Sequence, residues 1–283
     1  MSQPLKEKLA IVTGSSRGIG AGVARNLARK GCSLVLNYAS DASTRDAEAL
    51  ASELRASHDV RVHPVQADLG DPAGAGTLVS GAKEHFADPK TGAFRVDILV
   101  NNAGVGGGSK VGEVTPEAFY RMYNINVLGP LLLVGEVLPY LPHDRSGRIV
   151  NVSSIAATAG MSGHSVYGGT KAALDGMTRT WARELAERAT VNSVNPGPVA
   201  TAMMDRAPDA LMAALRPWTV LTPLMAVRED LDSKELLKKA DVLGGRPAHV
   251  DDIAGVVGML CGAESAWCTG SVICANGGFR FGL

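Results

Sequence analysis

A tyrosine, a lysine and a serine stand at spacings that suit proton transfer: Tyr167, Lys171 four residues on, and Ser154 thirteen residues before. On a helix, residues four apart lie one above the other on one face, so the phenol of Tyr167 and the ammonium of Lys171 can converge. A free phenol, with a pKa of about 10, is a poor acid or base near neutrality. A nearby cation favours the phenolate, and Lys171 is expected to lower that value. Residues 155–165 are rich in Ala, Gly and Ser, and can loop back to bring the Ser154 hydroxyl beside the phenol as a second donor to a substrate oxygen. Taken alone, Tyr-x-x-x-Lys also fits an ordinary surface helix, so its context must decide.

Such groups need a scaffold, and the chain alternates strand and helix patterns throughout. An apolar run at 9–13 breaks into Gly14-Ser15-Ser16-Arg17-Gly18-Ile19-Gly20, followed by helical spacing over 21–30 and a stop at Gly31. This reads as strand, glycine turn and helix. The turn lets backbone N–H groups approach a phosphate, and the helix N-terminus adds unpaired donors and partial positive charge. Its spacing differs from G-x-G-x-x-G, and no Gly-Lys-Ser/Thr follows, which argues against a P-loop. Further strands are expected at 33–38, 60–66, 96–100, 148–152, 190–194 and 271–275. Helices are expected at 42–57, capped by Asp41 or Ser40, and at 72–86, 116–141, 167–186 and 250–260. The pair Gly129-Pro130 is expected to bend the third of these, 116–141. The alternation argues for one doubly wound α/β domain over 1–283, with a parallel sheet covered on both faces and ligands at the strands' carboxyl ends.

Composition narrows the partners. Hydrophobic residues make up 46% and charged residues 20%, and 28 basic residues balance 28 acidic ones. No global field favours nucleic acid or an anionic membrane, and a small molecule is the expected partner. Cys32, Cys261, Cys268 and Cys274 form no C-x-x-C pair and no disulfide framework. That fits a reducing compartment. The opening residues lack the apolar run of a signal peptide, and no uninterrupted stretch reaches the ~20 apolar residues of a membrane span, so the cytoplasm is the expected location. No metal is expected.

Four motifs at predicted strand ends carry a family resemblance: Thr13-Gly14-x-x-x-Gly18-x-Gly20, Asn101-Asn102-Ala103-Gly104, Ser154 with Tyr167-x-x-x-Lys171, and Asn195-Pro196-Gly197. Together they resemble the short-chain dehydrogenase/reductase family, from about Leu5 to the C-terminus. The resemblance implies a Rossmann-type sheet of seven strands, a nicotinamide cofactor, and a homotetramer built partly through the long helices after Pro116 and Tyr167. It implies that Tyr167 is the general acid that protonates a carbonyl oxygen as hydride arrives, with Ser154 holding that oxygen. Lys171 would bind the nicotinamide ribose and tune the phenol, and Asn126 would support a water relay to it, local capping being the alternative. Cofactor contacts are implied for Gly14, Ser16, Arg17, Gly18, Ile19 and Gly20 in the turn, and for Asn37, Tyr38 and Ser40 after the second strand. Asp68 and Leu69 would lie at the adenine, Asn102, Ala103 and Gly104 along the adenosine side, and Pro196, Gly197, Val199 and Thr201 at the carboxamide. His164 has no visible partner and reads as pocket wall or surface.

Within the family, Asn37-Tyr38-Ala39-Ser40 and Arg17 look similar to fungal polyketide and naphthol ketoreductases. Dinucleotide folds usually place an acid about 20 residues past the glycine turn to hold the ribose 2′-hydroxyl. Here Asn37 and Tyr38 stand there, Arg17 can pair with a phosphate, and NADP(H) is the expected cofactor. Asp41 could reach the ribose, although capping suits it better. The irregular segment 201–243 carries Met203, Met204, Leu211, Met212, Leu215, Trp218, Leu221, Leu224 and Met225, and is expected to close as a lid over a bulky, flat, apolar ketone or quinone-like carbonyl of secondary metabolism. An NAD-dependent alcohol dehydrogenase, or a catalytically silent cofactor sensor of the same fold, is the alternative. Intact Ser154, Tyr167 and Lys171 speak against the sensor.

Overall fold

A computed structural model describes residues 3–205 and 247–279. The expected lid therefore lies outside the described residues beyond Asp205. Seven parallel strands form one sheet: β1 Leu9–Val12, β2 Ser33–Tyr38, β3 Val62–Gln66, β4 Ile98–Asn101, β5 Gly147–Val152, β6 Ala189–Pro196 and β7 Val272–Ala275, in the order β3-β2-β1-β4-β5-β6-β7. The helices described are α1 Gly18–Arg29, α2 Thr44–Ser57, α3 Gly74–Phe86, α4 Pro116–Tyr123, α5 Gly129–Val137, α6 Ala156–Ala159, α7 Ser165–Glu184, α8 Ala202–Asp205 and α9 Val250–Leu260.

The strands are buried on both faces, which is why they read as continuous apolar runs rather than alternating ones. Along β1, Ala10 and Val12 face one core with α1, α2 and α9, through Leu27, Leu54 and Val257. Leu9 and Ile11 face the other with α3, α5 and α7, through Leu78, Leu133 and Leu174. Most of these side chains are fully buried, and each contributes roughly 1.5–3 kcal/mol of transfer free energy. Because β1 pairs with β2 on one side and β4 on the other, the order of strand addition reverses there and opens a crevice beyond the carboxyl ends.

Several local expectations are corrected. Asp41 caps nothing: a short 3-10 turn over Asp41–Ser43 precedes α2, no side-chain cap is formed, and the Asp41 carboxylate accepts from the Gln66 amide at 2.8 Å. Gln66 at the end of β3 thus competes successfully for the acceptor. The break in 116–141 lies before Gly129-Pro130, in a π turn over Asn124–Leu128, and Pro130 stands in the first turn of α5. Pro130 has no N–H to give the Asn126 carbonyl four residues back, so the regular ladder cannot pass through. A Cβ at Gly129 would lie 2.6 Å from the Leu69 carbonyl, so close approach explains that glycine. Pro116–Tyr140 is long enough, and at a mean hydropathy of 1.2 apolar enough, to pass as a candidate span, although Arg121 and Glu136 interrupt its apolar run. It packs on α3 and α7 and points Asn126 inward.

Candidate active site and cofactor cleft

The glycine turn after β1 is held from behind by three side chains. Thr13 Oγ1 accepts from the backbone N–H groups of Asn102 and Ala103, both at 2.9 Å. Asn102 Nδ2 donates to the carbonyls of Thr13 (2.8 Å) and Gly14 (3.1 Å). Asn37 Oδ1 accepts from Gly14 N at 3.1 Å, and its Nδ2 donates to Ala67 O at 2.9 Å. Asn37 is only 2% exposed. Its side chain therefore braces the turn, a role the sequence reading did not assign to it. Asn102 is a brace in the same sense. Thr13 is the hub that sequence reasoning passed over, although it opens the first motif.

The turn meets the requirements of a dinucleotide pyrophosphate. Gly14 and Gly18 have φ of 59° and 57°, a region that favours glycine. A Cβ at Gly14 would stand 2.9 Å from Ala103 Cα, and one at Gly20 would stand 2.5 Å from Asn102 Nδ2. The turn thus presses on the 102–104 segment while its outer rim stays bare. Ser16, Gly18 and Ile19 are half-buried, and Arg17 is exposed with no ion pair among the described residues. Ser40 and Asp68 are also exposed, and Asp68 Oδ1 accepts from Gly70 N at 2.9 Å. Tyr38 is buried. Leu69 and Val199 turn their side chains into the two cores, so only their backbones can reach a cofactor. Pro196 and Gly197 end β6, and Thr201 faces the turn, with its Cγ2 3.5 Å from where a Gly18 Cβ would be. The ends of β1 and β6 thus form two sides of one cleft.

The reactive groups stand on that cleft. Tyr167 and Lys171 lie one turn apart on α7, and Lys171 Nζ is 5.9 Å from the phenol ring centre. Lys171 is 4% exposed, and Nζ donates to Val152 O at 2.8 Å. Ser154 is placed by a short turn, with its Oγ accepting from Ala156 N at 3.1 Å, and the same hydroxyl hydrogen-bonds with the phenol. Asn126 projects from the π turn. Its Oδ1 accepts from Val105 N (2.9 Å), and its Nδ2 donates to Val105 O (2.9 Å) and Thr170 Oγ1 (3.1 Å). Thr170 donates in turn to Tyr167 O at 2.7 Å. A Cβ at Gly104 would lie 3.3 Å from Asn126 Oδ1 and 3.4 Å from Lys171 Nζ. Gly104, Asn126 and Lys171 thus share one small space, and Asn126 is more than a local cap.

The electrostatics differ from the sequence expectation in sign. Burial pushes the Tyr167 phenol above its ordinary value, and the Ser154 hydrogen bond pulls part of the way back. Lys171 does not depress it; its own pKa is lowered to about 8, first by burial, with Asp175 acting in the opposite direction. With a pKa of about 8, Lys171 has already shed its proton at the higher pH where the phenol titrates, so it acts as an ammonium near neutrality but not as a fixed cation during that titration. His164 forms the wall: its ring centre is 6.1 Å from that of Tyr167, its Nδ1 is 3.1 Å from Ser162 O, and its backbone bridges to Ser109. The site's second layer was not read from the sequence. Thr170 and Asp175 could have been flagged as polar residues on the inward face of an otherwise apolar helix.

Comparison with known proteins agrees with this geometry. Residues 8–211 match the family model described as short chain dehydrogenase. An L-xylulose reductase of Aspergillus niger is 50% identical, covering 99% of this chain and 100% of its own. An L-xylo-3-hexulose reductase of Hypocrea jecorina is 48% identical, with complete coverage of both chains. Fungal naphthalene reductases are relatives too, at lower identity: the tetrahydroxynaphthalene reductase PfmaG of Pestalotiopsis fici is 32% identical over 98% of this chain and 92% of its own. Among solved structures, the angucycline C-6 ketoreductase LanV with bound NADP superposes with a TM-score of 0.84 at 32% identity, covering 100% of this chain and 99% of that one. By motif, sheet order and site geometry, the chain belongs to the short-chain dehydrogenase family.

Proposed function

We propose that this protein reduces a ketone to a secondary alcohol with NADPH, Tyr167 giving the proton. The convergence of Tyr167, Ser154, Lys171 and Asn126 on the cleft mouth carries the reading. Bound NADPH supplies the hydride. Gly14 to Gly20 would cradle the pyrophosphate, Lys171 the nicotinamide ribose, and Arg17 the 2′-phosphate. No carboxylate stands at the end of β2 to repel that phosphate, and Asp41 is engaged by Gln66. A phenol pushed up by burial keeps its proton at neutral pH and is a stocked acid. The Ser154 hydroxyl donates to the substrate oxygen as negative charge grows there. Tyr167 O–H then transfers its proton, because an alkoxide is a stronger base than a phenolate. The nearby ammonium offsets the phenolate left behind, and the Asn126 carbonyl, to which Pro130 can donate no N–H, would hold a water on the way to Lys171.

The wall beside the phenol is polar, formed by Ser154 and His164. With two sugar reductases near half identical over the whole chain, it supports a small ketose such as L-xylulose as the substrate. A second reading, the bulky, flat carbonyl compound of secondary metabolism, is favoured by Met203, 54% exposed and 3.6 Å from where a Gly106 Cβ would stand. Under it, 201–243 acts as a lid on one domain spanning the chain. Exposed Phe119, Tyr120, Leu131 and Leu138 on the α4–α5 flank support assembly into a homo-oligomer, a tetramer on the family pattern. Four free thiols support a cytoplasmic location. Initial rates with NADPH on L-xylulose, other ketoses and naphthol-type ketones test the substrate. Higher kcat/KM on ketoses is expected; preference for the flat ketones would transfer the assignment to the second reading.

A further inference from the structure

Asp175 takes no part in the steps above, yet it is a carboxylate only 5% exposed in the middle of α7. Isolated charges are not tolerated at such depth, so its surroundings must hold it. Its Oδ1 accepts from the Ser193 hydroxyl at 2.6 Å and its Oδ2 from the Asn195 amide at 3.2 Å, both on β6. These partners are neutral. Asp175 follows Lys171 by four residues, on the same face of the helix. The other groups around Lys171 are the Val152 carbonyl on β5, Asn126 in the π turn and Tyr167 on its own helix. None carries a formal charge at neutral pH. Among the described residues, Asp175 is the carboxylate that acts on Lys171, opposing the burial that brings its pKa to about 8.

We propose that Asp175 is a positioning residue: its buried carboxylate, fixed by Ser193 and Asn195, keeps Lys171 as an ammonium and so sets the upper pH limit for cofactor binding and turnover. The proposal rests on the reading of Lys171 given above. Substitution by Asn keeps the shape, and the Asn195 Oδ1, without a partner among the described residues, can turn to accept from the new amide. Only the charge is then lost.

The test is equilibrium titration of NADPH by fluorescence from pH 6 to 9, in a Tyr167→Phe background that removes the titrating phenol. Affinity in that background should fall as pH rises past about 8. With Asp175→Asn added, the fall should come about one to two units lower, leaving binding roughly tenfold weaker at pH 8 and within threefold at pH 6. Equal weakening at every pH would reduce Asp175 to a packing role and overturn the proposal. If Asp175→Asn does not fold, the exchange Asp175→Asn/Asn195→Asp keeps one carboxylate in the buried pair. A transition within half a unit of the parent supports the proposal, and one displaced by a full unit overturns it. Lys171→Ala separates the two levels. Unaltered NADPH affinity and turnover there would remove the reading of Lys171 itself, whereas loss in Lys171→Ala with no pH shift in Asp175→Asn would remove only the role of Asp175.

Discussion

The two ends of the sheet hold their charges differently. At the amino ends, Asp97 is 2% exposed and is answered in full: it accepts from Lys8 Nζ and Leu9 N, both at 3.0 Å, and from the Arg95 guanidinium. Its two cations reach partly into water. At the carboxyl ends, Lys171 is equally deep but is held by one carbonyl, with its carboxylate a helical turn away, and Arg17 has no ion pair among the described residues. A paired charge ties strands together, whereas an under-paired one keeps capacity to bind and to titrate. The stability lost by such incomplete pairing is the usual companion of a functional site.

The comparison is broken most severely by Tyr167→Phe, which removes the transferable proton and keeps the ring. Turnover should fall 10²–10⁴-fold, with NADPH affinity nearly unchanged by titration; wild-type turnover would end the assignment. Next in size is a stability effect of Lys171. Below about pH 8 its ammonium is buried in the folded state and solvated in the unfolded one, which costs the fold. Between about 8 and the ordinary lysine value near 10.4 the folded state sheds the proton first, and above that both states are neutral. Denaturant unfolding of wild type, measured against Lys171→Met, should therefore show stability rising by about 3 kcal/mol across that window. A flat difference would mean that Lys171 is not desolvated.

Arg17→Ala should raise KM for NADPH by roughly 10–100-fold, the range for a charge-assisted pair, and leave KM for NADH little changed. Equal effects on both cofactors would remove Arg17 from the 2′-phosphate. At the opposite end, Asp97→Ala should cost ~1–3 kcal/mol by thermal melting while the folded fraction keeps its kcat. Smallest of all, Glu53→Ala breaks the exposed pair with Arg25, 2.7 Å apart, and should cost ~0.2–1 kcal/mol.

Much of this contrast could be read in the sequence at one end only. The strand and helix segments, and the placing of Gly14, Asn102 and Ser154 at strands' carboxyl ends with Tyr167 on the helix that follows, were legible from periodicity and motif, because each is a local pattern. The bracing roles of Asn37 and Asn102 were not read, since a buried amide that braces a turn looks the same in sequence as one that greets a ligand. The sign of the phenol's shift was missed for a related reason: proximity of Lys171 is a matter of spacing, but desolvation depends on everything packed around it. The bend in 116–141 was put at the visible Gly-Pro, while its effect falls on the carbonyl four residues earlier. The bonds from Lys8 and Leu9 to Asp97, nearly ninety residues apart in the chain, left no sequence signal.

The π turn has a further consequence for chain length. A helix turns about 100° per residue, so losing one residue from Asn124–Leu128 would rephase everything on one side of it. Asn126 would swing away from Val105 and Thr170, or α5 would roll Leu133 and Val137 out of the core. No substitution elsewhere in α4 or α5 could correct such a rotation. The segment should therefore accept many exchanges of side chain and no single-residue deletion: its residue count is more tightly constrained than its composition.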